Sequence, residues 1–297
     1  MKIFLNLGGG GIKGYIEACI MEQIVLKSGK MVHEWADVIA GTSVGSINAS
    51  LYSLGVHPAQ VKAFYETYRH QIFVESLEQE LELKFCPKYR AEPFEESLQK
   101  AFGDKKMSDA LIPLLIVAYD ATVRDSAFFK SYDDGSGDIL IRDACRASAA
   151  APSYFPGKVI GDHAYYDGGL VSNNPSLCSY VDFFHISRGE ELFVIASKCG
   201  KHDEVDGQAV ENVNGGIFHV LNVLRDSILV AQEGNTDYEM EKFLGDHYLV
   251  LDPTEKFRFQ MDNVSDKAHE WLMANAESAI QELQPQIDFI VNLIKNK

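Results

Sequence analysis

The order of apolar strand-like runs and helix-period segments predicts an α/β fold: a three-layer α/β/α sandwich around a mostly parallel or mixed central sheet. Three observations carry that prediction. Residues 2–7, Lys-Ile-Phe-Leu-Asn-Leu, read as a short buried strand that ends in four glycines and leads into a helical pattern. Val38-Ile39-Ala40 repeats the arrangement, ending in Gly41-Thr42-Ser43-Val44-Gly45 before the helix-like Ile47-Asn48-Ala49-Ser50-Leu51-Tyr52. Strand and helix signals then alternate to the end of the chain.

In order, the pattern predicts strand 2–7, helix 13–28, strand 37–40, helices 44–54 and 58–70, a charged irregular stretch over 71–90, and helix 93–102. Strands near 113–119 and 127–132 precede helix 138–149, strand 163–166, a helix near 176–184 and strand 191–197. A Gly-rich acidic loop over 199–216, helices 217–233 and 235–243, strand 247–251 and a long helix from 265 complete the chain. No fixed-period repeat or low-complexity linker divides it, so residues 1–297 are expected to form a single domain. Residues 72–90 place Ile72, Phe73, Val74, Leu77, Leu81, Leu83 and Phe85 among acids, the pattern of a lid or of an ordinary packed helix. From 265 onward, Leu272, Ile280, Leu283, Ile287, Ile290, Val291 and Ile294 recur at helical spacing, interrupted by Pro285. The polar face there carries Glu277, Glu282 and Asp288 where a membrane-surface helix would carry lysines, so core or dimer packing is expected.

Three glycine-rich turns hold the chemistry. Ser43 lies between Gly41 and Gly45 at a strand-to-helix turn, the context of a nucleophile elbow. Glycines there remove side chains that would clash with closely passing backbone. The first turn, Gly8-Gly9-Gly10-Gly11-Ile12-Lys13-Gly14, offers backbone amides at a helix start and suits an anion. Gly9-x-Gly11-x-x-Gly14 matches the dinucleotide fingerprint, but no acid ends the second strand to hold a ribose. Lys13-Gly14-Tyr15 has the wrong order for a triphosphate loop. An oxyanion remains, and a right-handed crossover would set Gly11 and Ser43 side by side at the carboxyl ends of parallel strands. A third turn, Asp167-Gly168-Gly169, follows the aromatic run Tyr165-Tyr166 and reads alone as either a hairpin turn or an exposed acid. Upstream, the small-residue stretch 146–151 is stopped by Pro152 and could pack beneath that turn.

Together these blocks resemble the patatin-like phospholipase family. Residues 8–14 are similar to its glycine-rich oxyanion loop, with Lys13 where the family has Arg or Lys, and residues 41–45 to its elbow. Residues 116–122 resemble its central strand and turn, residues 146–156 its small-residue Ser-x-x-Phe-Pro segment, and residues 167–175 its Asp-Gly-Gly block. Gly8 departs from the Asp often found there. The resemblance implies a patatin-like fold and a Ser43–Asp167 dyad without a third histidine. It also implies an oxyanion hole from the amides of Gly9, Gly10 and Gly11, and no cofactor or metal. Lys13, Gly14, Gly41, Gly45, Gly168 and Gly169 would be supporting residues. Ser43 would attack an ester carbonyl with Asp167 as general base, which requires burial to raise the carboxylate's proton affinity. The histidines after Asp167 (His185, His202, His219, His247, His269) leave an α/β-hydrolase triad arithmetically open, but that fold places several strands before its elbow and here one precedes it.

The function implied is lipid acyl hydrolysis of the phospholipase A or lysophospholipase type. Its rivals are a binding or storage protein with a vestigial site and a latent, signal-activated effector phospholipase. The partners expected are a phospholipid or lysophospholipid, peripheral membrane contact, and room for a homodimer. A net charge of −16 excludes a nucleic-acid footprint and opposes anionic membrane surfaces. Five scattered cysteines without a Cys-x-x-Cys pair suit a reducing compartment, and no run reaches the ~18 apolar residues of a membrane span. A cytoplasmic protein, peripheral at membranes, is expected.

Overall fold

The computed structural model describes residues 1–76, 86–200, 217–254 and 262–297, with backbone alone for 217–230. Strand β1 (Lys2–Leu7) runs through a single 3-10 turn, Gly11–Lys13, into α1 (Gly14–Ser28), which stops at Gly29 in the left-handed region. A short α2 (Val32–Trp35) leads to β2 (Val38–Thr42), then α3 (Val44–Ser53) and α4 (Pro58–Ile72). His57 caps α4 through its ring nitrogen and Pro58 occupies the first turn, where its missing N–H costs nothing. Next come α5 (Ala91–Phe102), β3 (Leu114–Asp120), β4 (Asp125–Lys130), α6 (Ile141–Ser148), β5 (Lys158–Ile160) and β6 (His163–Asp167). The chain closes with α7 (Ser176–Phe183), β7 (Leu192–Ser197), α8 (Ile217–Leu244), β8 (Tyr248–Leu251), α9 (Asp266–Glu282) and α10 (Gln284–Asn296).

The strand order is β5-β6-β3-β2-β1-β7-β8, with β4 also on β3. Strands β3, β2, β1, β7 and β8 are parallel, whereas β4, β5 and β6 join antiparallel. Alternate residues of the parallel strands enter two cores, which makes three layers. Ile3, Leu5, Ile39, Leu114, Ile116 and Ile195 pack with α1 to α6, α9 and α10. Phe4, Val38, Ala40, Leu115, Val117 and Val194 face α7 and α8.

The pairing of β3 positions the site. One edge of β3 is lined by β4 over 115–120; the other is shared, with β2 on 114–117 and β6 on 118–120. Thr42 lies opposite Val117 and Asp167 opposite Ala118, so the carboxyl ends of β2 and β6 meet head to head along one strand.

Several elements differ from the sequence pattern. Helix α8 is continuous where two helices were expected, because a Cβ on Gly234 would meet nothing and an isolated exposed glycine does not break a helix that its neighbours support. Strand β5 and helix α2 escape notice because three or four residues carry no period. The long terminal helix divides at Leu283, where Pro285 starts a new first turn. Its apolar face is core: Ile287, Ile290 and Ile294 are fully buried in the cluster that includes α1. Of the expected lid 72–90, the base is a ribbon in which Ser76 N–H donates to Lys88 O and Arg90 N–H to Val74 O. Residues 77–85 of the lid and 201–216 of the acidic loop lie outside the described residues. Among the described residues no helix is long and apolar enough to cross a membrane.

Candidate active site

Ser43 sits between β2 and α3 with φ 53° and ψ −125°, a conformation side chains rarely adopt. Its surroundings hold it there. Ser43 N–H donates to Ser148 Oγ at 2.8 Å, and Ser148 Oγ in turn donates to Val117 O at 2.6 Å. Ser43 O accepts from Ser46 N–H at 2.9 Å and Ser46 Oγ at 2.6 Å. The framing glycines are sterically required. A Cβ on Gly41 would lie 2.4 Å from Gly45 O, and one on Gly45 would lie 2.2 Å from Leu7 O. The elbow therefore packs directly on the end of β1.

Asp167 ends β6 and is 7% exposed. Ser43 Oγ donates to its Oδ2 at 2.8 Å, and Gly169 N–H donates to Oδ1 at 2.7 Å. The chain then enters a 3-10 turn, Gly168–Leu170, and not the hairpin that Asp-Gly-Gly also permits. Gly168 is forced, since its Cβ would stand 2.2 Å from Val117 O. Burial pushes the Asp167 carboxyl up to about 6, partly offset by the bonds from Gly169 and Ser43.

The glycine loop lies beside this pair, and a Cβ on Gly9 would come within 3.2 Å of Ser43 Cβ. Gly9 N–H is committed to Asn173 O at 3.2 Å, whereas the N–H groups of Gly10 and Gly11 meet no acceptor among the described residues. Gly11 takes φ 60°, and Gly10 abuts Cys199, whose Cβ would be 2.3 Å from an added one. Lys13 is no solvated charge: it is 1% exposed, its Nζ donates to Gly200 O at 3.0 Å, and burial lowers its pKa. Gly14 lets α1 approach α3 and α4, since its Cβ would be 2.4 Å from Tyr65 Oη and 2.7 Å from Val44 Cγ2.

Sequence reasoning missed the residues that support these loops from a distance. Ser148, which fixes Ser43, was visible only as a small residue near a helix end. Asn48 joins α3 to Gly14 O at 3.1 Å and Glu17 at 2.7 Å, and burial pushes the Glu17 carboxyl up to about 8. Asn173 and Asn174 stand within the Asp-Gly-Gly block, but their partners Glu233 and Asp237 on α8 have no sequence signal. Among the described side chains no histidine contacts Ser43 or Asp167; His269 packs on Tyr15 and His247 lies 3.4 Å from Glu191.

A serine raised between strand and helix over a three-layer α/β/α sheet, bonded to a buried carboxylate, has the strand–turn–helix geometry of a nucleophile elbow. More narrowly, the chain belongs to the patatin-like phospholipase family, whose sequence model matches residues 5–177. Among curated relatives, a cGAMP-activated phospholipase of Pseudomonas aeruginosa is 26% identical over 257 residues, covering 84% of this chain and 77% of that protein. A cGAMP-activated phospholipase of Escherichia coli is 28% identical over 309 residues, covering 92% and 87%. Patatin-like protein 2 of Oryza sativa is 24% identical over 272 residues, covering 74% and 66%. Among solved structures, VipD from Legionella pneumophila overlaps with a TM-score of 0.48 at 13% identity, over 94% of this chain and 67% of that one.

Proposed function

We propose that this chain, as a single domain over residues 1–297, is a lipid acyl hydrolase of the phospholipase A or lysophospholipase type. The observation that carries the proposal is the 2.8 Å bond from Ser43 Oγ to Asp167 Oδ2 at a strained elbow. Ser43 Oγ attacks the ester carbonyl carbon as its proton passes to Asp167. The carbonyl electron pair moves onto oxygen, where the amides of Gly10 and Gly11 receive it; each such donor is worth roughly 100- to 1,000-fold in rate. Collapse of the tetrahedral intermediate breaks the bond to the alcohol, which takes the proton from Asp167. Water then attacks the acyl-enzyme with Asp167 again as base, releasing fatty acid and restoring Ser43. A carboxyl with its pKa near 6 is ionised at neutral pH yet a better base than an ordinary aspartate, so burial suits it to both proton transfers. No cofactor enters the scheme.

The test is fatty-acid release from phosphatidylcholine and lysophosphatidylcholine vesicles by the wild type and Ser43→Ala. The serine variant is expected to lose at least about 1,000-fold in kcat. Full activity in it would contradict the proposal, and a wild type that stays inactive and unlabelled by a fluorophosphonate with cyclic nucleotide present as well as absent would favour a binding or storage role. A second reading, an effector phospholipase switched on by a cyclic nucleotide, is favoured by the names of two relatives. Adding cGAMP and, separately, cUMP-AMP to the same assay tests it: stimulation by either supports the effector reading, and activity unchanged by both supports a constitutive enzyme. We place the enzyme in the cytoplasm, acting at the surface of a membrane.

A further inference from the structure

Asn173 bridges the two loops of the site, and one residue of α8 governs how it does so. Its carbonyl accepts Gly9 N–H at 3.2 Å, and its Nδ2 reaches Gly9 O at 3.4 Å. The same Nδ2 donates to Glu233 Oε1. Gly9 C=O and Gly10 N–H belong to one trans peptide plane and point in opposite directions. Holding Gly9 O on the Asn173 side therefore turns Gly10 N–H away from Asn173, next to a residue whose added Cβ would lie 3.2 Å from Ser43 Cβ. A carboxylate accepts hydrogen bonds and donates none, so Glu233 also dictates which end of the Asn173 amide faces Gly9.

We propose that Glu233 is a positioning residue for the Ser43 reaction, acting through Asn173 to aim the Gly10 N–H at the developing oxyanion. This rests on the reading of Ser43 as nucleophile. The rest of α8 supports Glu233 in that task. Gln232 Nε2 donates to Leu170 O at 3.2 Å, and one turn further Asp237 accepts from Asn174 Nδ2 at 3.0 Å and Tyr248 Oη at 2.8 Å and pairs with Lys198. Helix α8 is thus fastened at three points to the loop that follows Asp167 and to the exit of β7. Burial raises the Glu233 carboxyl, opposed by Lys198, by the Asn173 bond and by Lys13, and Asn173 is 6% exposed, so water offers little substitute for the lost acceptor.

The experiment compares wild type, Glu233→Ala and Glu233→Gln for kcat and KM on lysophosphatidylcholine and for the rate of fluorophosphonate labelling. Loss of aim costs transition-state binding and leaves ground-state binding alone. Glu233→Ala is expected to lower kcat and labelling by about tenfold or more while KM stays within about twofold. Glu233→Gln keeps an acceptor for Asn173 and is expected to recover kcat to within about threefold of wild type. Should the alanine variant fail to fold, Glu233→Met fills the same volume without an acceptor and gives the same reading. An unchanged kcat in Glu233→Ala or Glu233→Met overturns the proposal, as does a Glu233→Gln no better than alanine or a loss confined to KM. If wild-type Ser43 is labelled neither alone nor with cyclic nucleotide added, the nucleophile reading fails and this inference falls with it. A labelled wild type with an unaffected Glu233→Ala removes only the role of Glu233.

Discussion

At the scale of the residue, Ser43 and Asp167 are both held in states that cost stability. The backbone of Ser43 at φ 53° is strained by of order 1–3 kcal/mol, maintained by its bonds to Ser148 and Ser46. Glycine relieves such strain and alanine does not, so Ser43→Gly is expected to be more stable than Ser43→Ala by about 1 kcal/mol in urea unfolding. Equal stabilities would mean the elbow is unstrained. Asp167 has a carboxyl pKa raised by burial from 3.8 to about 6. Between those values the native state binds more protons than the unfolded one, so stability falls as pH rises through that window, and the whole cost stands above about pH 6. Asp167→Asn removes the buried charge. It is expected to be inactive yet about 1–3 kcal/mol more stable than wild type at pH 7, with the gain vanishing below about pH 4. A variant that is less stable at pH 7 would count against a buried, charge-bearing carboxylate.

At the scale of the element, the meeting of β2 and β6 on one edge of β3 turns two distant loops into one site. Much of this was legible. The apolar runs, the glycine turns and the parallel β1–β2 unit follow from period and turn chemistry, and Gly41, Gly45 and Gly168 are glycines because backbone carbonyls leave no room for a Cβ. What could not be read were long-range partners: nothing near Glu233 in sequence says that it will meet Asn173, sixty residues away. The apolar stripe of α10 was legible as buried but not as to what covers it. It is α1 and its neighbours, with Lys27 Nζ at 2.8 Å from Asp288 and Lys30 Nζ at 3.1 Å from Ile294 O. Ile290→Ala, at 0% exposure, is therefore expected to destabilise the fold by about 2–5 kcal/mol, read as a lower urea midpoint at unchanged protein concentration dependence. Midpoints that move with concentration would instead assign that face to a dimer.

At the scale of the whole molecule, the chain carries a net charge of −16. Hydrolysis is expected to be faster on zwitterionic than on anionic vesicles at low salt, with the gap narrowing as salt shortens the screening length to about 8 Å near 0.15 M. A preference for anionic vesicles would locate a basic docking patch that the net charge conceals. Three strand ends bring a hydroxyl, an acid and a glycine loop together at one point of the sheet. The most direct test of that arrangement is the pH dependence of fluorophosphonate labelling, with the adduct mapped by peptide mass. A single adduct on Ser43 is expected, whose rate of formation rises through about pH 6 and all but disappears in Asp167→Asn. An adduct on another residue, or Asp167→Asn labelled as fast as wild type, would contradict it.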